Sequence, residues 1–206
     1  MNLVIIAIVL LLIWSIWGYF SSKVEQAEYL VIKKSKDYEI REYPSHIVAQ
    51  TIVDGSYREA MNMGFRIIAG YIFGDNTKKE SIAMTAPVKE QKLVSEKIAM
   101  TAPVQINSEG KSRVVSFVMP KSYSLETLPI PNDSRVKLVK VPSKKMAVLL
   151  FSWSRNNNRI IKMEKKLLSA LLRDKIEIID IPLYAGYNAP WTPPWMVRNE
   201  IMIEIN

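Results

Sequence analysis

Residues 38–73 read YEIREYPSHIVAQTIVDGSYREAMNMGFRIIAGYIF, and the change of period within this stretch decides the fold class. Tyr38 to Tyr43 alternates: Tyr38, Ile40 and Glu42 share one face, and Glu39, Arg41 and Tyr43 share the other, which predicts a strand. Pro44-Ser45 breaks it. His46 to Val53 is rich in β-branched residues and predicts a second strand. After the turn Asp54-Gly55-Ser56 the period becomes helical. Tyr57, Met61, Phe65 or Gly64, Ile68 and Ile72 form one stripe, while Arg58, Asn62 and Arg66 lie beside it at steps of four. Gly74-Asp75-Asn76 ends the helix.

The plan recurs further along. Val136 to Val141 predicts a strand, Pro142-Ser143 a break, and Met146 to Trp153 another strand. Asn158 to Arg173 predicts a helix with Ile160, Met163, Leu167, Leu168 and Leu171 inward and Lys162, Lys165 and Lys166 outward. Pro44, Ser45 and Ala49 fall on Pro142, Ser143 and Ala147. Strands are also expected at Ser112–Met119, Ile176–Ala185 and Glu200–Ile205. Each half then reads strand–strand–helix–strand–strand, which implies an internal duplication over about residues 37–120 and 135–206. The expected fold is α+β: a distorted antiparallel barrel of two ββαββ-like repeats with two flanking helices. A ligand cleft between the halves follows naturally. Between them a heptad repeats letter for letter, as Ile82–Val88 and Ile98–Val104 (IAMTAPV), and reads as a hairpin or as two strands in similar surroundings.

Upstream, Leu3 to Phe20 (LVIIAIVLLLIWSIWGYF) carries no charge. As a helix it would be roughly 27 Å long, near the hydrocarbon thickness of a bilayer. Trp14, Trp17, Tyr19 and Phe20 gather at one end, as an interfacial aromatic belt does. Only Met1 and Asn2 precede the run, so it lacks the positive flank of a cleaved signal peptide. The expected organisation is a transmembrane anchor over residues 1–22, a charged linker over 23–36 and one domain over 37–206. The lipid bilayer would be met through residues 3–20. Lys23, Lys33, Lys34, Lys36 and Arg41 follow the helix and lean toward a single-pass protein with a cytoplasmic domain.

Composition removes several chemistries. There is no cysteine, so disulfides, thiolate catalysis, iron–sulfur clusters and cysteine-ligated zinc are excluded. The single histidine, His46, cannot build a His-rich metal site, and no G-x-S-x-G elbow accompanies it. Gly74 and Gly110 sit in turns without a phosphate-loop or dinucleotide pattern. The formal charge of +8 is spread along the chain without a nucleic-acid motif, so nucleic acid is not an expected partner. His46 reads as a strand residue or as a haem ligand. Met84 and Met100 read as core or as soft contacts for a flat ring. Leu183 to Arg198 (LYAGYNAPWTPPWMVR) interleaves Tyr184, Tyr187, Trp191 and Trp195 with prolines, either to cover the core or to wall an apolar pocket.

These motifs resemble those of the SOUL haem-binding protein family. The likeness rests on Tyr38–Tyr43 (YEIREY), Gly70–Gly74 (GYIFG), both IAMTAPV heptads, AGYNAP at Ala185–Pro190 and Arg198–Glu200 (RNE), in that order over roughly residues 28–206. The resemblance implies reversible, non-catalytic binding of haem or another tetrapyrrole in an apolar groove beside the first domain helix. Met61, Phe65 and Ile68 would meet the ring, with Tyr184, Tyr187 and Trp191 as a second wall. Arg58 and Arg66 would pair with the propionates. Some relatives carry a proposed haem-ligating histidine where Glu42 stands here; His46, four residues on, is the candidate axial ligand in its place. An alternative is an enzyme or effector-binding domain acting on a hydrophobic or cationic aromatic molecule through Glu200, a pocket carboxylate. A third reading is an interaction module at the membrane.

Overall fold

The computed structural model describes residues 2–21, 25–78, 96–98, 100–109, 112–188 and 191–206. In chain order these form α1 (Asn2–Ser21), β1 (Glu25–Gln26), β2 (Leu30–Lys34), β3 (Glu39–Tyr43), β4 (His46–Asp54), α2 (Tyr57–Ile72), β5 (Asn76–Thr77) and β6 (Thr101–Ala102). There follow β7 (Val104–Glu109), β8 (Ser112–Val118), β9 (Ile130–Pro131), β10 (Lys137–Val141), β11 (Lys144–Phe151), α3 (Asn157–Arg173), β12 (Leu183–Gly186) and β13 (Asn199–Glu204). The first heptad, Ile82–Val88, lies outside the described residues. The second places Thr101 and Ala102 in β6 and opens β7 at Val104.

The fold is α+β, a curled antiparallel half-barrel sheet with three helices. Nine strands run in the order β10-β4-β8-β7-β12-β13-β11-β3-β2. The sheet ends at β10 and β2, so the expected barrel is an open half-barrel. The two halves repeat one order of elements. The first unit is β3–β4–α2–β7–β8 and the second β10–β11–α3–β12–β13. They meet at β7 and β12, where Ile106 pairs with Tyr184. The first strand of each unit crosses to the other: β3 pairs with β11, and β10 with β4. Pro44-Ser45 and Pro142-Ser143 are the corners where these crossings begin. Proline has no N–H to offer a hairpin ladder, so each corner leads the chain away rather than back. The Ser143 hydroxyl donates to the Tyr43 carbonyl at 3.0 Å and ties one corner to the other.

Both domain helices lie on one face of the sheet. Ser56 caps α2, accepting from the Glu59 N–H while the Glu59 carboxylate accepts from the Ser56 N–H. Asn156 caps α3 in the same manner, with Arg159 N–H as donor. The inward line of α2 is Ala60, Gly64, Ile68, Tyr71 and Ile72, all buried. It is rotated from the expected stripe because small residues allow closer approach. A Cβ on Gly64 would stand 2.5 Å from Val115 Cβ. Met61 is therefore half-buried on the flank and Phe65 lies at the exposed edge. The inward line of α3 is as expected, with Ile160, Leu167 and Leu171 in the same core as Ile68, Tyr71, Phe117 and Ile201.

The expected linker contains β2, which extends the sheet at its edge and pairs with β3. The expected strand at Ile176–Ala185 is regular only from Leu183, with Ile178 bridging Ile205. Among the described residues, no helix is long and apolar enough to cross a membrane.

Candidate functional site

Alternation along the strands sorts the chemistry onto two faces. On the helix side, α2 packs its inward line on β4 and β8. Phe65 remains 39% exposed, with its ring 5.4 Å from that of Phe117, which is fully buried beneath it. Met61 lies one turn earlier and Arg66, exposed, one residue later. This is an apolar ledge with a guanidinium beside it. The side chain of Arg58 lies outside the described residues. Ile68 belongs to the core and has no free surface for a ring. Tyr184 is also a core residue; its hydroxyl donates to Asn199 Oδ1 at 2.7 Å and its ring lies 6.4 Å from Phe151.

The opposite face holds a charge cluster that strand periodicity alone does not announce. Arg41 on β3 and Glu200 on β13 are 1% and 0% exposed. Arg41 Nη1 donates to Glu200 Oε1 at 2.9 Å, and Arg198 Nη2 donates to the same oxygen at 2.6 Å. The Tyr187 hydroxyl donates to Oε2 at 2.7 Å. Arg41 Nη2 also donates to Glu39 Oε2 at 2.7 Å. Two cations therefore meet two carboxylates. Burial weakens both guanidiniums as bases, but the Glu200 charge together with hydrogen bonds and the neighbouring phenols outweighs it and raises both pKa values. Burial first, and the Glu200 charge second, push the Tyr187 phenol well above its usual range. Residues 26–29 close over the cluster. Arg198 Nη1 donates to Gln26 Oε1 at 2.9 Å, and the Tyr29 ring covers the Arg41 guanidinium at 4.1 Å.

This geometry reassigns Glu200. Both its oxygens are engaged by three donors, so no lone carboxylate awaits a cationic aromatic or a transferable proton. The signal was Arg41 on β3 and Arg198 at the mouth of β13, legible only once β3 and β13 were known to flank the same strand, β11. Tyr187 belongs to this cluster and lies on the face opposite Phe65. Trp191 is exposed and its carbonyl accepts from Trp14 Nε1 at 2.9 Å.

His46 opens β4 on the face of Val48 and Gln50, whereas Ala49 and Val53 pack under the helices. Its Nδ1 lies 2.9 Å from the Pro44 carbonyl, so the ring donates there through Nδ1–H. It lines a cavity of about 460 Å³ with Pro44, Ile47, Met119, Tyr123 and Lys140. The ledge on α2 is elsewhere. The Phe65 ring rests on Phe117, which pairs with Ala49, about 10 Å along β4 from His46 at 3.3 Å per residue. Ala49 faces the helices and His46, by alternation, faces away from them. Among the described residues, no group of three or more His, Cys, Asp or Glu side chains is arranged to hold a metal ion.

The chain belongs to the SOUL heme-binding protein family, whose model matches residues 24–204. Among curated proteins, none matches the chain. Among solved structures, the EcmrR C-terminal domain is similar with a TM-score of 0.60 at 8% identity, over 86% of this chain and 98% of that domain. An uncharacterized conserved protein from Listeria innocua follows at 0.55 and 11%, over 84% of this chain and 93% of its own. A hydrolase from the same organism reaches 0.52 at 10%, over 85% and 94%. At such identities the likeness is one of fold.

Proposed function

We propose that this protein binds haem or another tetrapyrrole reversibly, as a carrier or buffer without catalysis, with the ring on the α2 ledge. The observation that carries the reading is Phe65: an aromatic ring left at the surface, backed by buried Phe117, on a helix whose other side is locked by Gly64. A tetrapyrrole supplies a flat apolar face edged by carboxylates. Phe65 and Met61 suit the face, and Arg66, with Arg58 about two turns earlier on the same side of α2, suits the carboxylates. Stacking and burial hold the ring without a protein axial ligand, which favours exchange over permanent retention. The pairing of Glu200 with two arginines supports a non-catalytic role.

Haem titration of the full chain, followed by the Soret band, tests this. Phe65→Ala is expected to weaken binding about tenfold, equivalent to 1.4 kcal/mol. Arg66→Ala and Arg58→Ala are each expected to weaken it a few-fold, with less effect at high salt. His46→Ala is expected to leave the Soret position unmoved. Unchanged affinity in Phe65→Ala would remove the ledge from consideration. A Soret shift in His46→Ala would transfer the ring to the cavity beside Pro44.

The same proposal includes a membrane tether. The α1 helix has 20 residues, about 30 Å, with no acidic residue in its first turn and no basic residue in its last. Its apolar side chains from Leu3 to Ile13 are exposed and meet no protein surface that would bury them. Lysines at 23, 33, 34 and 36 favour a cytoplasmic domain; Arg41 is engaged by Glu200 and adds nothing to that lean.

A further inference from the structure

The chain has five tryptophans, and the fold brings all of them to one place. Trp14 and Trp17 are on α1. Trp191 and Trp195 are on the loop before β13, and Trp153 follows β11. Trp14 Nε1 donates to the Trp191 carbonyl, and the Trp14 and Trp195 rings meet edge-on at 5.5 Å. The Trp153 N–H donates to the Pro194 carbonyl at 3.0 Å. Gly18 lets α1 lie against Pro193, where a Cβ would stand 2.5 Å from the proline Cδ. Yet the rings are not buried: Trp17, Trp153 and Trp191 are each more than half exposed.

That arrangement is costly in water. Trp153 holds a φ of +74°, a left-handed conformation that costs a bulky residue about 1–3 kcal/mol. More than half of its surface stays exposed in return. The loop Trp191–Met196 (WTPPWM) has no charge, and its two prolines stiffen it. Exposed tryptophans with an apolar body and one N–H are the side chains that settle at the boundary between lipid and water. Depth agrees. Gly18 and Trp14 lie about 5 Å and about 10 Å along the axis from Ser21, at 1.5 Å per residue. An interfacial segment is buried to about 5–10 Å.

We infer that the loop Trp191–Met196, with Trp153, is a second membrane contact that rests the domain on the lipid headgroup layer around its own anchor. The partner is a phospholipid interface, and the inference rests on the tether proposed above. It makes α1 and the loop one aromatic belt drawn from both ends of the chain. A domain held in this way has a fixed orientation to the bilayer instead of swinging on the segment after α1.

Fluorine NMR on the full chain tests it. The protein is labelled with 5-fluorotryptophan and reconstituted in phosphatidylcholine vesicles, with or without lipid spin-labelled near the headgroup. Single Trp→Phe variants, each removing one exposed ring, assign the five resonances. The expected result is loss of all five signals with the spin label. Loss of the Trp14 and Trp17 signals alone, with those of Trp153, Trp191 and Trp195 retained, overturns the second contact and leaves the tether standing. Retention of all five overturns both.

Discussion

Glu200 shows how one residue binds the two units together. It reaches Arg41 from the crossed strand β3, Arg198 from the residue just before its own strand and Tyr187 from the end of β12. No water competes at a site with no exposure. Removing one member of a buried charge set leaves its partners uncompensated, which costs about 3–5 kcal/mol. Glu200→Gln keeps the shape but removes the charge facing two guanidiniums. Urea denaturation of this variant is expected to show a loss of about that size, larger than for Glu39→Gln, whose carboxylate is partly exposed. A variant as stable as the parent would show that the arginines find other partners. Burial draws the Glu39 pKa up, and Arg41 and Lys34 more than reverse it. Its depressed pKa means a stabilising contribution present above the usual 4.5 and lost as pH falls through the lower folded value.

At the scale of the element, α2 is fixed by what it lacks. Glycine inside a helix costs about 1 kcal/mol against alanine, so Gly64 is not there for helicity. It is there because α2 lies on β8 so closely that Val115 occupies the place of a side chain. Gly64→Ala would gain that propensity and lose more, since overpacking costs about 1–3 kcal/mol. A net loss of stability is expected, with α2 shifted outward and the Phe65–Phe117 contact widened; thermal unfolding together with haem affinity reads both. The helix itself was legible in the sequence, with its length, because a 3.6 period is a local signal. Its rotation was not legible, because Ala60 and Gly64 carry no hydrophobic weight and yet define the inner face. The strands at Tyr38–Tyr43 and His46–Val53 were legible from alternation. The edge strand Leu30–Lys34 was not, since its side chains are all exposed and show no alternation. The second wall proposed from Tyr184 and Tyr187 divides for a related reason. Three residues apart near a strand end, they point to opposite faces, one into the helix-side core and one into the charge cluster.

Over the whole molecule, the strand–strand–helix–strand–strand order of each half was readable, but not the exchange of first strands that locks the halves together. That exchange depends on pairs such as Ala147 with Ile40, far apart in sequence and carrying no local mark. Its consequence is a single cooperative sheet in which both faces bury phenols. Tyr71 and Tyr184 lie under the helices, and Tyr43 and Tyr187 lie under residues 26–29. Burial raises all four pKa values. For Tyr43 the Glu200 carboxylate adds to it, and the phenol is pushed up to about 12, as burial also pushes Tyr184. An unfolded chain releases these protons near 10.0. The fold therefore favours the neutral phenols, and their contribution is complete below that pH and lost as pH rises toward about 12. Each phenol adds up to about 1.4 kcal/mol of lost stability per pH unit in that window. Urea midpoints measured from neutral pH to about 12 are expected to stay level and then fall steeply, with tyrosinate absorbance from the buried set appearing only as the fold is lost. Tyr184→Phe should soften that fall by one proton's worth, though it also gives up the bond to Asn199 and starts from a lower plateau. Full ionisation of every tyrosine near 10.0 with the fold intact would mean that neither face of the sheet is sealed.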